Sequence, residues 1–230
     1  LLVANKNCEK LIKQAFLYKP KFICINDTSK INYLKKNIND KKIKVIDTKE
    51  LFNLNKYFKS DISILAISGY NSLEYLTPIF SNSKILGMVN KESIVSAGHL
   101  FRTINNKNKT KVYPLDSEHY SLKSLLNLNN HKEIKNVYIT ASGGALLHKK
   151  FHEINNISFK EAINHPKWKM GYKNSIDSAT LVNKCLELIE AHYLFNLPYE
   201  KLKMVIHPEA FVHSIIEYYN YTSVMNYFYH

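Results

Sequence analysis

Ile62-Ser63-Ile64-Leu65-Ala66-Ile67, closed by Ser68-Gly69, decides the architecture. A short, near-continuous apolar run that stops at a turn reads as a strand covered on both faces. The pattern recurs outward in both directions. Phe22-Ile23-Cys24-Ile25 ends at Asn26-Asp27, and Lys44-Val45-Ile46 follows it. Lys84-Ile85-Leu86-Gly87-Met88-Val89 and Val112-Tyr113-Pro114-Leu115 come later. Helical patterns lie between, as at Glu9 to Tyr18 and Ser72 to Phe80. Strand–helix alternation of this kind predicts an α/β fold with a parallel sheet. Ligands of such sheets bind beyond the carboxyl ends of the strands, so the residues after each strand carry the functional weight.

The second half has another texture. Motif-dense polar turns precede a helix predicted over Ser178 to Asn196, with Pro198 just beyond it. Strand-like runs follow at Met204 to Ile206 and Val212 to Tyr219. Asn105 to Thr110 and Asn127 to Lys135 read as polar loops. The change of texture places a boundary near residue 115, giving domains 1–115 and 116–230.

The chain is 45% hydrophobic over 230 residues, enough for a sizeable core. No apolar run approaches the ~18 residues of a membrane span. Cys8, Cys24 and Cys185 form neither a disulfide framework nor a zinc spacing, which fits a reducing compartment. The net charge of +13 is carried by lysine, with Arg102 as the lone arginine. Base reading leans on arginine's bidentate fork, so the charge reads as compositional drift over a solvated surface rather than a nucleic-acid patch.

Four clusters carry candidate chemistry. Asp116 and Glu118, two apart after a strand, point the same way if the segment is extended, and can converge on a hard cation. A solvated acidic turn is the plain alternative. Asn183, Lys184 and Glu187 share one face of the predicted helix, and Ser178 falls in its first turn, where free N–H groups favour a phosphate. An ordinary capped helix with a Lys–Glu pair fits the same residues. Ser142-Gly143-Gly144 suits close backbone approach to an anion, or simply a loop. Trp168, the only tryptophan, lies in a polar stretch between Pro166 and Gly171, as a closing flap or a surface-packed ring would.

Taken together and in order, these blocks resemble the 1-deoxy-D-xylulose 5-phosphate reductoisomerases. The resemblance rests on NKESIVSAG from Asn90, PLDSEH from Pro114, TASGG from Thr140 and HPKWKMG from His165. IDSATLVNK..E from Ile176 and IHPEAFVHS from Ile206 complete it. It runs from about Leu1 to Tyr219. It begins beyond the family's glycine-rich pyrophosphate loop and stops before its C-terminal helical domain, so a central piece of such an enzyme is expected. Asn5, Ala145, Cys185 and Ala210 depart from the family's usual residues.

The resemblance implies a Rossmann-like NADPH domain, with its N-terminal part missing, followed by an α+β catalytic domain. It implies Mg²⁺ or Mn²⁺ on Asp116, Glu118 and Glu187. It implies substrate contacts at Lys91, Ser117, Glu118, Ser142, His165, Ser178, Asn183, Lys184 and Glu187, under a flap bearing Trp168 and Met170. It implies catalytic roles for Lys91, Glu118, Glu187, His119 and His213. Lys6 and Asn7 would meet the phosphate that distinguishes NADPH, and Asn90, Glu92 and Gly171 the rest of the cofactor. The implied partner is a sugar phosphate, with neither nucleic acid nor membrane, in a homodimer of a bacterial cytoplasm or plastid-type organelle. Two readings compete. Another two-domain NADP oxidoreductase, such as a semialdehyde or homoserine dehydrogenase, would act without metal. A catalytically decayed remnant, or a basic binding protein, would bind neither.

Overall fold

A computed structural model describes residues 1–54, 59–128 and 133–228 of the chain. Two compact units form, Leu1–Ser60 and Asp61–His230.

In the first unit, β1 (Leu2–Ala4), β2 (Phe22–Ile25) and β3 (Lys44–Ile46) form a parallel sheet in that order. The helices are α1 (Cys8–Tyr18), α2 (Ile31–Asn37) and α3 (Thr48–Leu54). Cys8, Leu11 and Ala15 recur at helical spacing and bury one stripe of α1 with Ile23, Ile25, Leu34 and Val45. Asn7 starts α1: its side chain accepts the Lys10 N–H at 2.9 Å.

The second unit begins with the sheet β4 (Ser60–Leu65), β5 (Ser83–Met88) and β6 (Lys111–Pro114). Its helices are α4 (Leu73–Asn82) and α5 (Lys91–Asn108). Then come α6 (Ser117–Leu128), β7 (Ile134–Ala141), and the short α7 (Phe151–Ile154) and α8 (Phe159–Ala162). Next are α9 (Tyr172–Ala179), α10 (Val182–Phe195), β8 (Leu202–Ile206), β9 (Val212–Tyr218) and β10 (Ser223–Tyr227). The last strands form a mixed sheet, β10-β9-β7-β8, with β7 and β8 parallel and β9 antiparallel to both neighbours. Leu122, Leu125 and Leu126 of α6 pack on Val137, Ile139 and Ile216, with Ala191 of α10 in the same core.

The most compact division thus falls at residue 60, whereas the change of texture lies near 115. The reason is α5. It is docked along α10 by Gly98 under Tyr193, and by Arg102, which donates to the carbonyls of His192 and Tyr193.

Four local expectations are corrected. The helix predicted over Ser178 to Asn196 is two helices, broken at Leu181, whose φ is 61°. Ser178 therefore ends α9 instead of opening the ligand-bearing helix. Asn105 to Asn108 is the last turn of α5, not a loop, because Ile104 keeps the helix anchored in the core. The segment after Asp116 is helical, not extended. Of the expected loop Asn127 to Lys135, Asn127 and Leu128 end α6 and Ile134 opens β7; residues 129–132 lie outside the described residues.

Candidate active site

The site lies in the second unit, where strand ends meet helix starts. After β6, Asp116 caps α6: its Oδ1 accepts the N–H groups of Glu118 at 3.1 Å and His119 at 3.3 Å. This cap, not a pleat, sets Asp116 and Glu118 side by side. After β5, Asn90 caps α5 by accepting the Ser93 N–H at 2.7 Å, which puts Lys91 in the first turn. Glu187 comes from the buried face of α10 with Lys184.

Ligand oxygens of Asp116, Glu118 and Glu187 all lie within 4.8 Å of one another. Lys91 Nζ reaches Asp116 Oδ2 at 2.6 Å and Glu187 Oε1 at 2.5 Å. Lys184 binds Glu118 and lies 2.7 Å from Glu187 Oε2, and Asn183 donates to Glu187. Two cations thus offset three converging carboxylates, which nearly balances the buried charge.

The environment splits the acids. Burial opposes ionisation of Asp116, but His119 and Lys91 overcome it and hold its carboxyl well below the ordinary range. Glu118 is also lowered: burial and Asp116 push up, while His213 and Lys184 pull down harder. Glu187 goes up, because burial, Asp116 and Glu118 outweigh the two lysines. Burial disfavours the charge on Lys91 and Lys184, yet the carboxylates raise both.

An all-oxygen donor set of this kind suits Mg²⁺ or Mn²⁺, which prefer carboxylates. The three acids line a cavity of about 330 Å³. Lys91, Ser117, Ser142 and His165 line it too, as do Trp168, Met170, Ser178, Asn183, Lys184 and His213. His119 does not. It is fully buried beside the acids, its Nδ1 3.3 Å from Asp116 Oδ1.

The opposite wall is built on a glycine. Gly144 (φ 65°) lies so close to the end of α9 that a Cβ there would stand 2.6 Å from the Ser178 carbonyl oxygen. That approach sets Ser142 and Ser178 in one cavity. His165 is fixed by its neighbours: Nδ1 accepts the N–H groups of Lys167 (3.2 Å) and Trp168 (3.1 Å). Nε2 then carries the proton and donates to Ser142 Oγ at 3.1 Å. Burial lowers its pKa, which agrees with a neutral ring. The Trp168 ring stacks on it, centroids 5.0 Å apart.

Sequence comparison meets the same blocks. A family model described as 1-deoxy-D-xylulose 5-phosphate reductoisomerase matches residues 1–98, and one described as its C-terminal domain matches 112–195. The chain belongs to this reductoisomerase family. The reductoisomerase of Pelagibacter ubique (strain HTCC1062) is 40% identical, with 96% of this chain and 57% of the relative covered. That of Caldanaerobacter subterraneus subsp. tengcongensis is 37% identical, over 94% of this chain and 56% of the relative. The chain therefore spans about half the length of these curated relatives. A crystal structure of DOX-P reductoisomerase in complex with NADPH, fosmidomycin and magnesium superimposes with a TM-score of 0.87. It is 33% identical and covers 98% of this chain and 58% of that one. The Zymomonas mobilis reductoisomerase in complex with NADPH gives 0.86 at 30% identity, covering 99% of this chain and 59% of that one.

The remaining residues expected of a reductoisomerase fall in two other hollows. Asn90, Glu92 and Gly171 line a pocket of about 400 Å³, to which Lys91 and Asn183 also contribute. In the first unit, Lys6 and Asn7 line a hollow with Ser29 and Lys30. There Lys30 Nζ donates to the Lys6 carbonyl at 2.9 Å. Among the described residues, no helix is long and apolar enough to cross a membrane.

Sequence reading passed over Asn174, which lines both the 330 Å³ and the 400 Å³ cavities, and Thr140, which lines the first. Asn174 and Ser178 are four apart, a helical spacing that α9 makes visible. Of the departures, Ala210 lines the site with φ 57°, and Cys185 is exposed on the outer side of α10.

Proposed function

We propose that this chain performs the NADPH- and divalent-metal-dependent rearrangement and reduction of 1-deoxy-D-xylulose 5-phosphate to 2-C-methyl-D-erythritol 4-phosphate. The observation that carries it is the meeting of Asp116, Glu118 and Glu187 in a cavity that also holds Ser142, Ser178 and Asn183. That is a cation site beside polar groups suited to a phosphate. The bound cofactors named for the related structures point the same way.

In this reading, residues 1–115 serve the cofactor and 116–230 the metal and substrate. When bound, the cation stabilises negative charge on the substrate oxygens and NADPH supplies the hydride. The protein's part is orientation. Ser142, Ser178, Asn183 and Lys184 grip the phosphate, with the His165 ring holding Ser142 in place. Binding of that remote group then supports alignment at the reacting carbons. Lys91 adds positive charge next to Asp116 and Glu187. Ser117 and His213 complete the wall around Glu118, and His119 holds Asp116. Trp168 and Met170 cover the cavity and exclude water. Asn90, Glu92 and Gly171 hold the near part of NADPH, and Lys6 and Asn7 its extra phosphate. A homodimer belongs to the same proposal, and light scattering tests it.

The test is NADPH oxidation, read by absorbance, with 1-deoxy-D-xylulose 5-phosphate, with and without Mn²⁺. Turnover that requires the metal and disappears in Glu187→Gln supports the reading. Metal-independent turnover, or none from folded protein that binds NADPH, overturns it.

A further inference from the structure

Glu190 lies three residues beyond Glu187 on the buried face of α10, only 4% exposed, and has no part in the chemistry proposed so far. Two carboxylates at this spacing repel each other. A buried acid also loses its hydration, whereas an aliphatic side chain would fill the position without that cost. Oε2 of Glu190 makes no hydrogen bond among the described residues. It faces Nδ1 of His119 at 3.7 Å.

His119 connects this acid to the site. Its Nε2 lies 2.9 Å from the Glu187 carbonyl oxygen, so Nε2 carries a proton and donates it. Its Nδ1 makes no hydrogen bond among the described residues; it lies between the two acids, 3.3 Å from Asp116 and 3.7 Å from Glu190. The imidazole is thus bonded to the α10 backbone at Nε2 and flanked by an acid on each side of Nδ1.

We propose that Glu190 is a positioning residue that fixes the His119 ring, and through it Asp116, in the geometry that binds a divalent cation. Ligand orientation by such outer partners is general in metal sites. The inference rests on the metal reading of Asp116, Glu118 and Glu187.

The experiment is Mn²⁺ binding followed by electron paramagnetic resonance on the full chain. Wild type, Glu190→Gln, Glu190→Leu, His119→Asn and the Glu190→Gln/His119→Asn double variant are compared. Glu190→Gln is expected to weaken Mn²⁺ binding about tenfold or more. Glu190→Leu is expected to do the same while melting no lower than wild type, which separates positioning from packing. The double variant is expected to bind no more weakly than His119→Asn alone, because Glu190 acts through that ring. Unchanged binding in both Glu190 variants, or losses that multiply in the double variant, overturns the inference. If the wild type binds no Mn²⁺, the metal reading itself falls and the inference with it. Nitrogen NMR of the His119 ring in the wild type needs no substitution to fold. One fixed ring orientation with a hydrogen-bonded Nε2 is expected, and a ring free to flip overturns the proposal.

Discussion

Gly98 on α5 is the socket for the Tyr193 ring of α10: a Cβ at Gly98 would stand 2.2 Å from Tyr193 Cδ2. The ring is also held from its other neighbours, with Arg102 over it at 4.9 Å and His99 edge-on at 5.3 Å. Its freedom to yield is small. Gly98→Ala should therefore overpack the junction, at about 2 kcal/mol. For a chain of this size that lowers Tm by roughly 5 °C. Calorimetry decides it, and restored stability in Gly98→Ala/Tyr193→Ala would assign the loss to this contact.

Lys91 is the counter-charge of Asp116 and Glu187. Lys91→Met removes one side of a largely buried pair and should cost about 3 kcal/mol, read as a lower urea midpoint. Mn²⁺ should recover part of the loss by mass action. An unchanged midpoint would mean that the carboxylates are adequately balanced by Lys184.

Lys167 ties the Trp168 segment to the turn before β9, its Nζ 2.6 Å from the Glu209 carbonyl oxygen. Under the proposed function, Lys167→Met should raise KM for the sugar phosphate about three- to tenfold, the range of one ordinary exposed hydrogen bond, with little change in kcat. Trp168 is the sole tryptophan of these 230 residues, so its fluorescence follows the same segment directly. A lower kcat at constant KM would remove the tether from substrate binding.

Glu217 accepts from Asn136, Lys135 and Tyr138, and these bonds pull its pKa from 4.5 to about 2. The folded state therefore binds its proton later than the unfolded state as pH falls. The stabilisation is fully present above pH 4.5 and is lost as pH drops toward 2. Thermal melts across this window should show wild type and Glu217→Gln converging as acid is added. Parallel curves would refute the assignment.

Most of the strands after which chemistry gathers were legible because covered parallel strands are nearly all apolar. But β4 corrects the expectation of cover on both faces: its Ile62 and Ile64 are exposed and only Leu65 is buried. Ile23, Cys24 and Ile25 are buried in sequence, as are Leu86 and Met88 on either side of Gly87. β7 was harder. It opens Ile134-Lys135-Asn136, whose polar pair reads with the preceding loop until Glu217 is seen accepting from both side chains. β10 alternates toward an exposed face and carries no run. The three converging acids were picked out by the family resemblance, but not the means that joins them: a helix cap at Asp116 replaced the expected extended segment. Nothing in Thr180-Leu181 marks a helix break. A leucine in the left-handed region costs on the order of 1 kcal/mol, and only tertiary packing can hold it there. Glu190 carried no sequence signal of its own; its burial is what sets it apart.

That break has a mechanical meaning. Had residues 172–195 formed one rod, a push on the Trp168–Gly171 strap would swing Glu187 with it. With the axis interrupted at Leu181, the strap runs into α9 alone, while α10 stays clamped by α5 through Lys91, Gly98 and Arg102. Ser178 and Asn174 are therefore placed by α9 and its contact with Gly144, and Glu187 and Lys184 by α10, so the two sides of the cavity are set by separate supports that meet at Leu181.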